Sequence, residues 1–254
     1  MSELQGKRVL ITGGAGGVGR AVAERMVAQG ARVLITDRGE LELRQVIEAI
    51  GGGDGSSGGG AGGSAIEAVT ADLSSATGLQ RMFERVDSWL GGLDILVACA
   101  GVGSGPLMEM DDADWRYVIE SNLMSYVACT KGAIERIKAS RTNEGMIILV
   151  GSISVHIKAV GESVYNAAKG GVASFAETLR KELIPENIRL TLIEPGAIAS
   201  AMQPFSAEER QRQVEVYKML PPAEVAEAIM FAASRPAGID VVTLRIEPLD
   251  QKIF

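Results

Sequence analysis

Short apolar runs recur along the chain, each followed by a longer stretch whose apolar residues are spaced three and four apart. The runs fall at residues 8–12, 32–36, 66–70, 95–98, 146–150, 189–194 and 241–246, and they read as buried strands. Helical spacing marks residues 21–29, which stop at Gly30, and then 75–90, 112–139, 163–183 and 222–234. Strand and helix alternating in this order predict one α/β unit over residues 1–254. It should be a doubly wound, seven-stranded parallel sheet between two layers of helices. Right-handed crossovers then bring every strand C-terminus, with Gly13, Ala100, Ser152 and Pro195, to one edge of the sheet.

The first strand runs directly into Gly13-Gly-Ala-Gly-Gly-Val-Gly19, and a helix follows. Strand, glycine turn and helix in that order make an element that binds dinucleotides. Glycines let the backbone turn tightly against a pyrophosphate, whose charge rests on the helix N-terminus. Gly13, Gly17, Val18 and Gly19 are the expected contacts. Asp37 ends the second strand eighteen residues past Gly19, where a carboxylate can accept hydrogen bonds from both ribose hydroxyls. That favours NAD over NADP, since a 2′-phosphate would meet a like charge. Arg38 beside it is the one feature that would relieve the repulsion.

Tyr165 and Lys169 stand four apart in Tyr-Asn-Ala-Ala-Lys, and Ser152 lies thirteen residues before the tyrosine, just past the run 146–150. On a helix this spacing sets phenol and ammonium on one face, a turn apart. A cation there favours the phenolate, so the tyrosine is expected to exchange protons below its usual pKa of about 10.

With these residues in place, the chain resembles the short-chain dehydrogenase/reductase superfamily over nearly its whole length. Thr12-Gly-Gly-Ala-Gly-Gly-Val-Gly19 is similar to that family's cofactor turn. Asp72, followed by Leu73, matches the acidic residue placed near the adenine. Ala98-Cys-Ala-Gly101 resembles the Asn-Asn-Ala-Gly motif but lacks both asparagines. Ala100 and Gly101 are kept, while side-chain contacts that brace the central sheet are put in doubt. Asn122 matches the asparagine of the proton relay, and Ser152, Tyr165 and Lys169 match the remaining catalytic positions. Pro195-Gly-Ala-Ile-Ala-Ser200 resembles the segment that binds the nicotinamide carboxamide, which implicates Pro195, Gly196, Ile198 and Ser200. The glycine turn also fits the extended branch of the family, but that branch carries a further C-terminal substrate domain, and the chain ends at Phe254.

The resemblance implies a Rossmann-type fold and hydride transfer between NAD(H) and the CH–OH or C=O group of a small alcohol, hydroxy acid, polyol, aldehyde or ketone. Ser152 would hold the substrate oxygen and Tyr165 would exchange its proton. Lys169 would also bind the nicotinamide ribose, and Asn122 would hold a water linking it to solvent. An NADP(H)-dependent carbonyl reductase is the alternative. A dinucleotide-sensing regulator without turnover is a third reading, against which all four catalytic positions are filled. Ser152, Ser154 and Tyr165 are the expected substrate contacts. Residues 197–222 form the substrate loop, in which Met202, Gln203, Pro204 and Phe205 suggest an apolar lid. His156 and Lys158 are either exposed loop residues or a cationic pair for a carboxylate, phosphate or sulfonate. The long helices near 112–139 and 163–183 offer Ala128, Ala133, Ala173 and Phe175 for a subunit interface, and the resemblance implies a homotetramer, or a dimer.

Composition narrows the partners. Apolar residues at 46% suffice for a core, and a net charge of −7 argues against nucleic acid or an anionic membrane surface. No apolar run approaches the ~20 residues of a membrane span, and the N-terminus lacks a signal peptide's apolar stretch. Cys99 and Cys129 are isolated, with no metal spacing, and read as reduced thiols of a cytoplasmic protein without a metal. The segment 51–64 holds nine glycines in fourteen residues and reads as a flexible insertion on the edge away from the cofactor turn.

Overall fold

A computed structural model describes residues 4–51, 64–142 and 144–251. The glycine-rich insertion lies almost entirely outside the described residues, which include only its ends, Gly51 and Ser64.

Seven strands form one all-parallel sheet: β1 (Arg8–Thr12), β2 (Arg32–Asp37), β3 (Ile66–Thr70), β4 (Ile95–Ala98), β5 (Gly145–Val150), β6 (Ile188–Pro195) and β7 (Thr243–Ile246). Their spatial order is β3-β2-β1-β4-β5-β6-β7. The order reverses between β1 and β4, and such a switch point opens a crevice at the strand C-termini. Successive side chains point to opposite faces, and here both faces are dry. Val9 and Ile11 join one core while Leu10 joins the other, and Ile148 and Leu149 divide in the same way.

The helices are α1 (Gly17–Ala28), α2 (Glu40–Gly51), α3 (Ala76–Arg85), α4 (Asp112–Ile119), α5 (Ser125–Ala139), α6 (Ser163–Glu182), α7 (Ala207–Glu215) and α8 (Pro222–Ala233). The first core takes Val22 and Met26 of α1, Leu43 and Val46 of α2, and Val225 and Ile229 of α8. The second takes Met82 of α3, Ala133 and Ile137 of α5, and Val172 and Ala176 of α6. Local chemistry sets the ends. Ser75 and Asp111 cap α3 and α4 by accepting the backbone N–H of Gly78 and Asp114. Pro222 opens α8, where its missing N–H costs no helical bond. Among the described residues no helix is long and apolar enough to cross a membrane.

Three elements differ from the sequence reading. The helix expected at 75–90 passes into a π turn, Val86–Leu90, and stops at Gly91 in the left-handed region (φ 70°). The helix expected at 112–139 is broken by a second π turn, Glu120–Met124. There the Asn122 amide donates to the carbonyl of Val118, and Ser125 Oγ donates to that of Ser121; side-chain bonds of this kind compete with the helical ladder. Finally, α7 lies inside the expected substrate loop. It buries no residue, so it has no apolar stripe to read. Its legible signal is Ser206, whose hydroxyl accepts the N–H of Glu209 in an S-x-x-E capping pattern.

Candidate active site

The loops after β1, β4, β5 and β6 close on one another at the crevice. Gly13 adopts φ 69°, and a Cβ there would stand 2.8 Å from the Ala100 backbone nitrogen. A Cβ at Gly17 would approach Pro222 to 2.9 Å and Ser200 to 3.8 Å, so the glycine turn abuts the Pro195-Gly196 segment. That segment is pinned from both sides: Gly196 N–H donates to Ile246, and the backbone of Ala197 and Ala199 pairs with Leu220 around Ile198. The missing asparagines of the Ala98–Gly101 motif are offset by Thr12, whose Oγ1 accepts the N–H groups of Cys99 and Ala100 at 3.2 Å each.

The turn fits a dinucleotide. Gly16 caps α1 without a side-chain acceptor, and the first turn carries no acidic residue. The N–H groups of Gly17, Val18 and Gly19 therefore point at the crevice with the helix dipole behind them. Asp37 is half-buried at the end of β2; its carboxylate accepts Ala15 N–H at 3.2 Å and Arg38 N–H at 2.7 Å. Two oxygens retain room for ribose hydroxyls. The Arg38 guanidinium lies over the Tyr117 ring, 5.2 Å from its centroid, and makes no ion pair among the described residues. Asp72 follows β3, where its carboxylate accepts the N–H and hydroxyl of Ser74, while Leu73 is buried in the second core.

Ser152 stands where β5 ends, and Tyr165 and Lys169 lie on α6. The Tyr165 phenol faces the Ser152 side chain, which favours its ionised form. Ser152 Oγ accepts Ser154 N–H at 3.1 Å, which fixes the hydroxyl. Lys169 is 4% exposed and donates to Val150 O at 2.9 Å and Tyr126 Oη at 3.1 Å. Asn122 is fully buried, bonded to both backbone groups of Val102. A Cβ at Gly101 would lie 2.6 Å from Asn122 Oδ1 and 3.8 Å from Lys169 Nζ, so these groups share one pocket wall.

The electrostatics correct one expectation. Tyr165 is pushed above its ordinary pKa, chiefly by burial and further by the Glu162 charge, with Ser152 opposing. Lys169 does not depress it, because the ammonium sits 5.9 Å from the ring centroid and is committed to other partners. Lys169 itself is the group brought toward neutrality. Burial lowers it from 10.5 to about 8.

Two further expectations change. His156 and Lys158 do not form a free cationic pair: His156 Nε2 lies 2.9 Å from the buried Glu194 carboxylate, and Lys158 donates to the Ser154 and Val155 carbonyls. The His156 partner could not be read from spacing, since Glu194 is 38 residues away in sequence. Ala133 is fully buried in the second core and cannot serve an interface. Ser154 is buried, its hydroxyl without a hydrogen-bond partner among the described residues, and a Cβ at Gly103 would lie 3.8 Å from Met202.

A doubly wound sheet with this turn has the architecture of dinucleotide-binding folds, and the comparisons narrow the class. The short chain dehydrogenase family matches residues 7–211. The 3-oxoacyl-[acyl-carrier-protein] reductase FabG of Aquifex aeolicus is 30% identical over 241 residues, 93% of each chain. The short-chain reductase protein NovJ of Streptomyces niveus is 30% identical over 242 residues, 90% of this chain and 87% of NovJ. Among solved structures, a point variant of actinorhodin polyketide ketoreductase with NADPH superposes with a TM-score of 0.82 at 25% identity, covering 98% of both chains. A dehydrogenase/reductase from Sinorhizobium meliloti gives 0.81 at 26%, covering 95% of this chain and 94% of that one. The chain belongs to the short-chain dehydrogenase/reductase family and is an oxidoreductase of that family.

Proposed function

We propose that the protein reduces the carbonyl group of a small molecule with a nicotinamide dinucleotide, and oxidises the alcohol in reverse. The observation that carries this reading is the Ser152–Tyr165–Lys169 cluster beside the glycine turn. The bound nicotinamide would supply the hydride. Ser152 donates a hydrogen bond to the substrate oxygen, and Tyr165 delivers its proton as that oxygen becomes an alkoxide. A phenol held protonated by burial suits this direction. Lys169, with a pKa of about 8, is the group able to pass a proton on near neutrality. Relatives named as 3-oxoacyl and polyketide reductases support a ketone as substrate. Substrate would enter over Ser154, under Met202 and Phe205.

Cofactor choice turns on two adjacent side chains. The Arg38 guanidinium, which makes no ion pair among the described residues, and the NADPH of the actinorhodin relative support NADP(H). The carboxylate of Asp37 supports NAD(H), which is the second reading. The catalytic unit is one domain, and we take the groove between α5 and α6, lined by Val127, Ile134, Phe175 and Leu179, as a subunit interface.

The test is NADH and NADPH oxidation with a panel of β-keto esters, ketones and aldehydes. Wild type should turn over at least one of them, and Tyr165→Phe should lose activity by about a hundred- to ten-thousandfold while still binding dinucleotide. A wild type that binds dinucleotide yet oxidises neither form across the panel would favour the regulator reading.

A further inference from the structure

Lys169 has a partner that the mechanism above does not use. Tyr126, on the first turn of α5, is 1% exposed and lies beneath the lysine, with the ammonium 4.5 Å from its ring centroid. Its hydroxyl donates to Val150 O at 3.0 Å, and Lys169 Nζ donates to the same carbonyl at 2.9 Å and to Tyr126 Oη at 3.1 Å. The roles in this triangle are unambiguous. A carbonyl only accepts and an ammonium only donates, so the phenol must give its proton to Val150 and turn a lone pair toward Lys169. Two of the three ammonium N–H bonds are thereby aimed inward, and the third is left for the crevice.

We infer that Tyr126 is a positioning residue for Lys169, one that holds the ammonium in place and in its charged form through its hydroxyl and its ring face. The inference rests on the reading of Tyr165 and Lys169 as the proton-transfer pair. Burial works against a charge at this point, and an acceptor oxygen with an aromatic face opposes that effect. The titratable groups facing Lys169 are Tyr126 from α5, Tyr165 from its own helix and Cys99 after β4. None is a carboxylate. Burial pushes the Cys99 thiol up to about 12, and Tyr126 itself is held well above its ordinary value. Neutral groups therefore surround the ammonium, and the oriented phenol is its side-chain acceptor among the described residues.

Tyr126→Phe keeps the ring and removes only the acceptor. With the acceptor gone, the neutral amine gains on the ammonium, so the lysine should lose its proton at lower pH. Ketone reduction, followed with the β-keto ester ethyl acetoacetate and NADPH or NADH, should show a roughly tenfold lower kcat with KM little changed. The alkaline limb of the kcat profile should move to lower pH. A residue needed only for packing would scale the profile without moving it.

A second measurement needs no turnover. In protein labelled with 15N-lysine, with the Lys169 Nζ signal assigned by its absence in Lys169→Met, the titration midpoint should fall in Tyr126→Phe. An unchanged midpoint in a folded variant overturns the inference, as does an unmoved alkaline limb. If wild type reduces no ketone, the reductase reading fails on its own while the titration still decides the role of Tyr126. Where circular dichroism shows Tyr126→Phe unfolded, Tyr126→Met fills the same space flexibly and takes its place in the titration.

Discussion

Replacing Lys169 with methionine should abolish turnover and stabilise the fold, and the gain should depend on pH in a way the structure specifies. Burial lowers the folded-state pKa of Lys169 from 10.5 to about 8. Between those values the unfolded chain holds a proton that the native state has released, so wild-type stability rises with pH across that window. The contribution is complete above the unfolded pKa and is lost as pH falls through about 8. Each tenfold loss of proton affinity is worth about 1.4 kcal/mol, so the penalty at neutral pH is roughly 3 kcal/mol. Lys169→Met removes it. The Val150 carbonyl is not orphaned, because the Tyr126 hydroxyl still donates to it at 3.0 Å. Loss of the lysine bonds offsets part of the gain, by about 1 kcal/mol. Urea unfolding of both proteins at two pH values isolates the charge effect, provided the m-values agree. From about pH 7 to 9.5 wild type should gain roughly 2 kcal/mol relative to the variant. A difference that stays constant across that range would mean the buried lysine is not perturbed, and would refute this account of it.

Other consequences can be checked directly. Asp37→Ser should raise kcat/KM for NADPH relative to NADH by at least about tenfold, since it removes a like charge and leaves Arg38 to face the 2′-phosphate; an unchanged ratio would strip both residues of their assigned part. Glu162→Gln should lower the Tyr165 pKa, because the Glu162 charge raises it, and the acid limb of alcohol oxidation should shift to lower pH. An unmoved limb would place the charge too far from the phenol to matter. Phe175→Glu puts a charge into the α5–α6 groove and should reduce the assembly mass measured by light scattering, whereas a wild type already monomeric at micromolar concentration would refute that interface.

The parallel sheet and the glycine turn were legible because each follows from local rules. Apolar runs such as Val33–Ile35 must be covered on both faces, and a glycine is required where a Cβ at Gly13 would strike the next loop. The spacing of Ser152, Tyr165 and Lys169 was equally readable, since a helix fixes which residues share a face. What those side chains do to one another was not. Proton affinity depends on burial and on partners that spacing does not reveal: the Glu162 charge at the start of the helix that carries Tyr165, and Tyr126 beneath Lys169 although 43 residues separate them. Spacing suggested that the lysine would acidify the tyrosine, but packing drew the ammonium away onto Val150 and Tyr126 and left the phenol raised. The same holds for His156, which spacing left either as an exposed loop residue or as a contact for an anionic substrate, and which the fold sets against Glu194. The π turn at Asn122 and the polar helix α7 were illegible for a related reason. One arises from a buried amide competing for a carbonyl, and the other has no apolar stripe, so hydrophobic periodicity carried neither.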